Sequence, residues 1–295
     1  AVMKQWEGLG YYTRARNLHA AARIVREQYH GRLPEEARLL QMLPGVGRYT
    51  AGAIASIAFG ERTPVVDGNV KRVLSRLYHI TESIDDPGTE KEMWALAEAL
   101  VPSRTPGDFN QAMMELGARV CTPRKPTCVG CPVAAHCRAL AADCVEALPV
   151  RREKKPVPHQ EQVVAAIVRE GEYLVGLRPG EGLLGGLWEF PTGQVLTGET
   201  HQQALRRTCR EILGVDVQIG GLVATVRHAY SHFRLTLHVY RCVISNGEAH
   251  PIAHQELRWI APKDFKTLPF PKANHKFLPL LQPPSDSEPD LFRGV

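Results

Sequence analysis

The stretch LPGVGRYTAGAIASIAFGERTPVVDGNVKRV, Leu43 to Val73, places two glycines around a valine at the mouth of a helix and an aspartate eighteen residues after Tyr49. Upstream, RLPEEARLLQM (Arg32 to Met42) is amphipathic and predicts a helix. LPGVG predicts a tight turn, and RYTAGAIASIAF predicts a second helix whose Ala, Gly and Ser residues allow close packing. Gly45 and Gly47 free the backbone for φ > 0 and leave amide N–H groups uncovered at a helix start, a mouth that suits a phosphate. Such a helical hairpin can hold a nucleic-acid backbone without reading its sequence. The turn alone is equally compatible with a plain helix–turn–helix of a protein core. Asp67 before Gly68, taken alone, reads as a cap or turn residue.

Outward from that stretch, 295 residues suffice for two domains with their own cores. A formal charge of +5 permits nucleic acid as a partner without requiring it. No run of about 18 apolar residues is present, so no membrane partner is expected. The start, AVMKQWEGLGYY, has no apolar segment of a signal peptide and no initial Met, and reads as the interior of a longer chain; a cytoplasmic location is expected. Four of the seven cysteines fall in CTPRKPTCVGCPVAAHC, as Cys121, Cys128, Cys131 and Cys137, spaced C-x6-C-x2-C-x5-C. Such clustering points to a metal or cluster site rather than disulfides. Tetrahedral zinc and a [4Fe-4S] cluster both accept four thiolates, and one tight pair with wider flanks leans toward iron–sulfur. Cys144, Cys209 and Cys242 stand alone and read as packing residues.

Composition also divides the chain. Up to Cys137, NLHAAARIVREQY and EKEMWALAEALV repeat apolar residues at helical spacing. LPVRREKKPVPHQEQ (Leu148 to Gln162) is charged and proline-bearing, as exposed linkers are. Beyond it VVAAIV, YLVGL and RLTLHVYRC read as strands and THQQALRRTCREILG as a helix, hence an α+β or mixed α/β domain. The expected organisation is a helical domain over 1–145, a linker over 146–162, a second domain over 163–282 and a fraying, Pro- and acid-rich tail over 283–295.

Taken together, the hairpin, Asp67 in VVDGNVKRV and the cysteine run resemble the helix-hairpin-helix DNA glycosylases that carry an iron–sulfur cluster. The resemblance implies an all-α helix-hairpin-helix domain with a [4Fe-4S] cluster held by Cys121, Cys128, Cys131 and Cys137. It implies that the target base is flipped from the duplex while the Asp67 carboxylate stabilises positive charge growing on the sugar. Tyr49 and Asn69 join Asp67 in the implied catalytic group, and Gly45, Val46, Gly47, Arg124 and Lys125 are implied to hold DNA phosphates. The bifunctional branch carries a lysine at the hairpin position, because a lyase needs an amine for a Schiff base. Tyr49 offers none, which points to the monofunctional adenine-specific MutY branch. GLGYYTRARNLHAAA is similar to that branch too: Tyr11 is implied to wedge beside the target base, and Gln111 in FNQAMMELGA to contact the flipped adenine.

The second domain resembles a Nudix domain, through GLLGGLWEFPTGQVLTGETHQQALRRTCREILGV. Against the box G-x5-E-x7-R-E-U-x-E-E-x-G-U, Gly193, Glu199, Arg207, Glu211 and Gly214 match, while Thr208 and Ile212 stand where glutamates belong. Two lost oxygen ligands leave a poor Mg²⁺ site, so recognition rather than hydrolysis is expected. In HAYSHFRL, Tyr230, Ser231 and His232 match the family loop that contacts 8-oxoguanine, usually Phe-Ser-His. The implied partner is double-stranded DNA with 8-oxoguanine:A or G:A mispairs, bound by a monomer, and the implied reaction is monofunctional adenine excision. One departure stands out. The family's general acid is a glutamate upstream of GLGYY, and Glu7 has no context that suits it as a substitute. Loss of a general acid costs about 10² to 10⁴-fold. A lesion-binding fragment without catalysis and a Nudix nucleotide hydrolase are the alternatives.

Overall fold

The computed structural model describes residues 2–7, 9–153, 156–230 and 233–281. These divide between two compact units, one within Asn17–Lys155 and the other within Ala1–Arg16 and Pro156–Val295. The first sixteen residues therefore group with the sheet-bearing unit. The order, helices first and a mixed sheet later, is the expected fold class. No helix among the described residues is long and apolar enough to cross a membrane.

The helical elements run α1 (Val2–Gln5), α2 (Tyr12–Gln28), α3 (Ala37–Leu40), α4 (Arg48–Phe59), α5 (Gly68–Tyr78), α6 (Pro87–Leu100), α7 (Pro106–Glu115), a π turn over Leu116–Val120, and α8 (Arg138–Ala141). α4 occupies the predicted residues, bounded by Gly47 as N-cap and by Gly60, at φ 72°, as C-cap. α3 is one turn rather than the predicted helix from Arg32 to Met42. A proline disfavours helix at the residue before it, residues 32–34 take no regular structure, and Glu36 at the N-cap makes no side-chain cap bond. α4 packs Ala51 and Ala55 against Ala21, Leu40 and Leu43, while α5 packs Val70 and Leu74 against Val66, Ile84, Met93 and Trp94. α5 is unusual in burying its polar face as well, with Arg72 6% and Arg76 1% exposed.

The second unit is a sheet of β1 (His159–Arg169), β2 (Glu172–Leu177), β3 (Trp188–Glu189), β4 (Thr192–Gln194), β5 (Asp216–Ala229), β6 (Arg234–Asn246) and β7 (Glu256–Ile260), with α9 (His201–Leu213) between β4 and β5. Its main path is β3-β2-β1-β6-β5, with β4 on β1 and β7 on β2. β1 and β6 are parallel; the other pairs are antiparallel. β1 starts at His159, inside the stretch that reads as linker. Its alternation feeds two cores, as a strand buried on both faces does. Val163, Ala165 and Ile167 meet Leu205, Cys209 and Leu213 of α9, while Val164 and Ala166 join Phe190, Phe265, Phe270 and Phe277. α9 is started by a capping box of Thr200 and Gln203 and stopped by Gly214 at φ 75°.

Candidate active site

The hairpin turn brings Gly45 to φ 77°, where a side chain would be strained and a β-carbon would sit 2.7 Å from Cβ of Asn17. Gly47 differs from expectation. Its φ is −83°, extended, so its part is to leave the head of α4 uncovered rather than to turn the chain. Val46, half-buried, packs against the core beneath α4 and pins the turn.

A cleft of about 890 Å³ opens at this helix head, and Gly47, Tyr49 and Asp67 all line it. Arg48 lies with its guanidinium carbon 3.9 Å from the Trp94 ring centroid, and Lys71 reaches Glu90 at 2.7 Å. Asp67 is the N-cap of α5. Its Oδ1 accepts from the backbone N–H of Asn69 (2.9 Å) and Val70 (2.7 Å), and its Oδ2 accepts from Asn69 Nδ2 (3.0 Å). Three neutral donors thereby fix the carboxylate plane without cancelling its charge. Tyr49 is 42% exposed, its hydroxyl 4.0 Å from the Met114 sulfur.

Behind Asp67 stand two residues that the sequence reading passed over. Arg72 Nη2 donates to Asn69 Oδ1 (2.9 Å) and to the Gly117 carbonyl (2.6 Å), and Nε donates to the Cys121 carbonyl (2.7 Å). Arg76 donates from Nε to Leu148 (2.9 Å) and from Nη1 to Thr122 (2.8 Å) and the Cys121 sulfur (3.3 Å). One face of α5 thus connects the cysteine loop to the residue that orients Asp67. Burial pulls the Arg72 pKa down from its usual value, the nearby Cys121 opposing this. The only sequence signal was two arginines one helical turn apart among Val70, Val73 and Leu74.

All four loop cysteines are half-buried free thiols. Burial, then the charges of Cys121, Cys131 and Cys137, push the Cys128 thiol up, so the four sulfurs share one neighbourhood. Arg124 and Lys125 are exposed between Cys121 and Cys128. Gln111 lies exposed on α7, its amide 3.4 Å from the Gly107 carbonyl of its own helix, and is not among the residues lining the cleft.

In the second unit Tyr11 is 64% exposed. Ser231 and His232 lie outside the described residues. Tyr230, beside them, turns its hydroxyl inward: the oxygen is buried without a hydrogen-bond partner among the described residues, and burial pushes its pKa up to about 12. Its ring packs on Phe233 (4.9 Å) and His228 (4.6 Å), so the hydroxyl that departs from the family Phe faces the core. The box carboxylates are occupied. Glu199 takes Arg207 in a two-pronged pair (both 2.8 Å), and Glu211 takes the same guanidinium at 3.0 Å. Arg207 and the Leu196 N–H bring Glu199 down to about 2, and Glu199 drives Arg207 up. Thr208, where a glutamate would reach out, is 2% exposed and packs against Gly193, with its hydroxyl unpartnered among the described residues. Glu7 is likewise engaged, with Lys4 (2.6 Å), the Phe270 N–H (2.9 Å) and His275 (3.1 Å).

Residues 1–99 match the HhH-GPD superfamily of base excision DNA repair proteins, and residues 163–280 match the NUDIX domain. The chain is 37% identical over 319 residues to the adenine DNA glycosylase of Homo sapiens, covering 90% of this chain and 58% of that protein. It is 39% identical to that of Mus musculus, covering 90% and 60%. It is 30% identical to that of Schizosaccharomyces pombe, covering 90% and 67%. The chain thus spans well under two thirds of the two mammalian relatives, 58% and 60%. With one repair-protein match at the hairpin, a second match on the sheet unit and two thirds of a full relative covered, the chain belongs to the adenine DNA glycosylase family.

Proposed function

We propose that this chain carries out, or carries the machinery for, monofunctional excision of adenine mispaired with 8-oxoguanine or guanine in double-stranded DNA, acting as a monomer. The observation that carries this reading is the Asp67 carboxylate, fixed by three neutral donors in the same cleft as the uncovered head of α4. Amides at Gly45 to Gly47, with Arg124 and Lys125, hold the backbone phosphates. As the bond from adenine to the sugar breaks, electrons leave with the base and positive charge builds at the sugar carbon. A fixed carboxylate is complementary to that charge, and water then supplies the new bond. Tyr49 lines the site without offering an amine, so no Schiff base forms. Asn69 keeps Asp67 in plane and Arg72 keeps Asn69 in place. Gln111 reads the adenine edge, Tyr11 wedges at the vacated stack, and Tyr230, Ser231 and His232 read 8-oxoguanine, the Tyr230 hydroxyl being buried. The proton that adenine needs is not assigned to Glu7, whose oxygens are held elsewhere.

Cys121, Cys128, Cys131 and Cys137 suit a [4Fe-4S] cluster. Among the described residues, no three of these sulfurs form a group within 4.8 Å of one another. Thiolates on a single tetrahedral zinc stand about 3.8 Å apart, from bonds of about 2.3 Å. Those four residues would hold the cluster, which would supply structure rather than chemistry to the loop that Arg76 already binds. Nudix hydrolysis is the weaker reading, because Arg207 occupies both remaining box glutamates.

The test is single-turnover release of adenine from an 8-oxoguanine:A duplex, with binding followed in the same samples. Release that Asp67→Asn abolishes supports the assignment. Release that survives it removes Asp67 from the chemistry.

A further inference from the structure

The sheet unit holds another cluster of ligating groups, which includes neither of the box carboxylates Glu199 and Glu211. Glu161 near the start of β1, His201 at the head of α9 and His238 in β6 converge on one point. A single oxygen, Glu161 Oε1, accepts from His201 Nε2 at 3.2 Å and from His238 Nε2 at 2.8 Å. The two imidazoles lie 4.1 Å apart, tilted by 31°. Each ring is also held from behind, His201 Nδ1 by the Tyr240 hydroxyl (3.0 Å) and His238 Nδ1 by the Thr225 hydroxyl (3.2 Å). That is the arrangement by which outer groups aim imidazoles at a metal.

We propose that Glu161, His201 and His238 form a binding site for a divalent first-row transition ion such as Zn²⁺, which staples α9 to β1 and β6. Two imidazoles and one carboxylate suit such an ion better than Mg²⁺ or Ca²⁺, which prefer oxygen throughout. The two separations from Glu161 fit with little movement, and the ligand atoms of all three residues lie within 4.8 Å of one another. Ligand atoms bound at about 2.0 to 2.1 Å in a tetrahedron stand about 3.3 Å apart, against 2.8 and 3.2 Å here. Glu161, with a side chain 43% exposed, leaves a path for entry and a position for water. The proton bookkeeping closes within the site. With both rings neutral and each Nε2 donating to Glu161, each Nδ1 accepts from a hydroxyl; on binding, each Nε2 lone pair goes to the ion, the ring proton moves to Nδ1, and the hydroxyls become acceptors.

The test uses the full chain without a histidine tag, stripped with chelator and titrated with ZnCl₂ by calorimetry. Glu161→Gln and His201→Asn, both at partly exposed positions, are run beside it. The wild type is expected to bind one equivalent more than His201→Asn, with Glu161→Gln weakened about 10-fold or more. The cysteine loop is the same in all three, so its own uptake cancels. Two-bond ¹H–¹⁵N spectra of the histidines supply a readout that does not depend on a variant folding: His201 and His238 are expected to change from Nε2–H to Nδ1–H forms as Zn²⁺ is added. Equal stoichiometry in wild type and variants, or histidine signals unmoved at saturating Zn²⁺, overturns the proposal and leaves a hydrogen-bonded cluster.

Discussion

Asp67 before α5 and Glu199 before α9 both stand at the heads of helices, and their neighbours hold them in opposite ways. Asp67 is gripped by two backbone N–H groups and an amide. Glu199 is gripped by a guanidinium that also takes Glu211. Neutral donors orient a carboxylate and leave its charge to act on something else, whereas a paired cation consumes it. Under the proposed function the first acid is the reagent, whereas the second is a structural tie. On the proposed reading, the same contrast is why the Nudix-like domain would recognise rather than hydrolyse.

The contrast breaks most sharply at Asp67. Asp67→Asn keeps an N-cap of equal rank but removes the charge, and single-turnover adenine release is expected to fall about 10³-fold with Tm unchanged. Next comes Arg72→Gln, which loosens Asn69 and so Asp67. Release is expected to fall about 10²-fold while duplex binding holds, since the lost quantity is orientation. On the other side of the comparison, Thr208→Val replaces a buried, unpartnered hydroxyl by a methyl of the same shape. It is expected to stabilise the chain by about 1 kcal/mol, read as a higher urea midpoint, and to leave release untouched. Lys125→Ala is expected to lower the salt dependence of duplex affinity by about 0.9 in log–log slope, the mark of one lost phosphate contact. The smallest effect belongs to Glu199, whose pair with Arg207 is solvent-screened. Its folded pKa, about 2, lies below the ordinary carboxylate value of 4.5, so the tie contributes stability above pH 4.5 and loses it as pH falls toward 2. Tm followed across that window is expected to fall less steeply in Glu199→Gln than in the wild type.

Much of the helical architecture was legible because it is written locally. α4 begins and ends at glycines, and its small residues announce close packing. Asp67 was legible because a cap and its helix are neighbours in sequence. The misreadings arose where tertiary context decides. Gly47 needs no positive φ, and Pro34 cuts α3 to a turn. Arg72 and Arg76 were hidden because a charged residue in a helix ordinarily reads as solvated, and only the fold reveals the loop carbonyls that receive them. Glu161 is 40 residues from His201 and 77 from His238. No local pattern joins them; the parallel register that sets Glu161 beside Thr236 does.

Arg76, 1% exposed, finds three of its acceptors in the loop: the Cys121 sulfur and the carbonyls of Thr122 and Pro123. Stranding a buried charge costs about 3 to 5 kcal/mol, a large share of the roughly 5 to 15 kcal/mol by which a domain is stable. A nick or an oxidised sulfur in that loop is therefore no superficial scar. Stranding Arg76 in this way would raise the unfolded population by about two to four powers of ten, so the loop's integrity is tied to the stability of the whole helical unit.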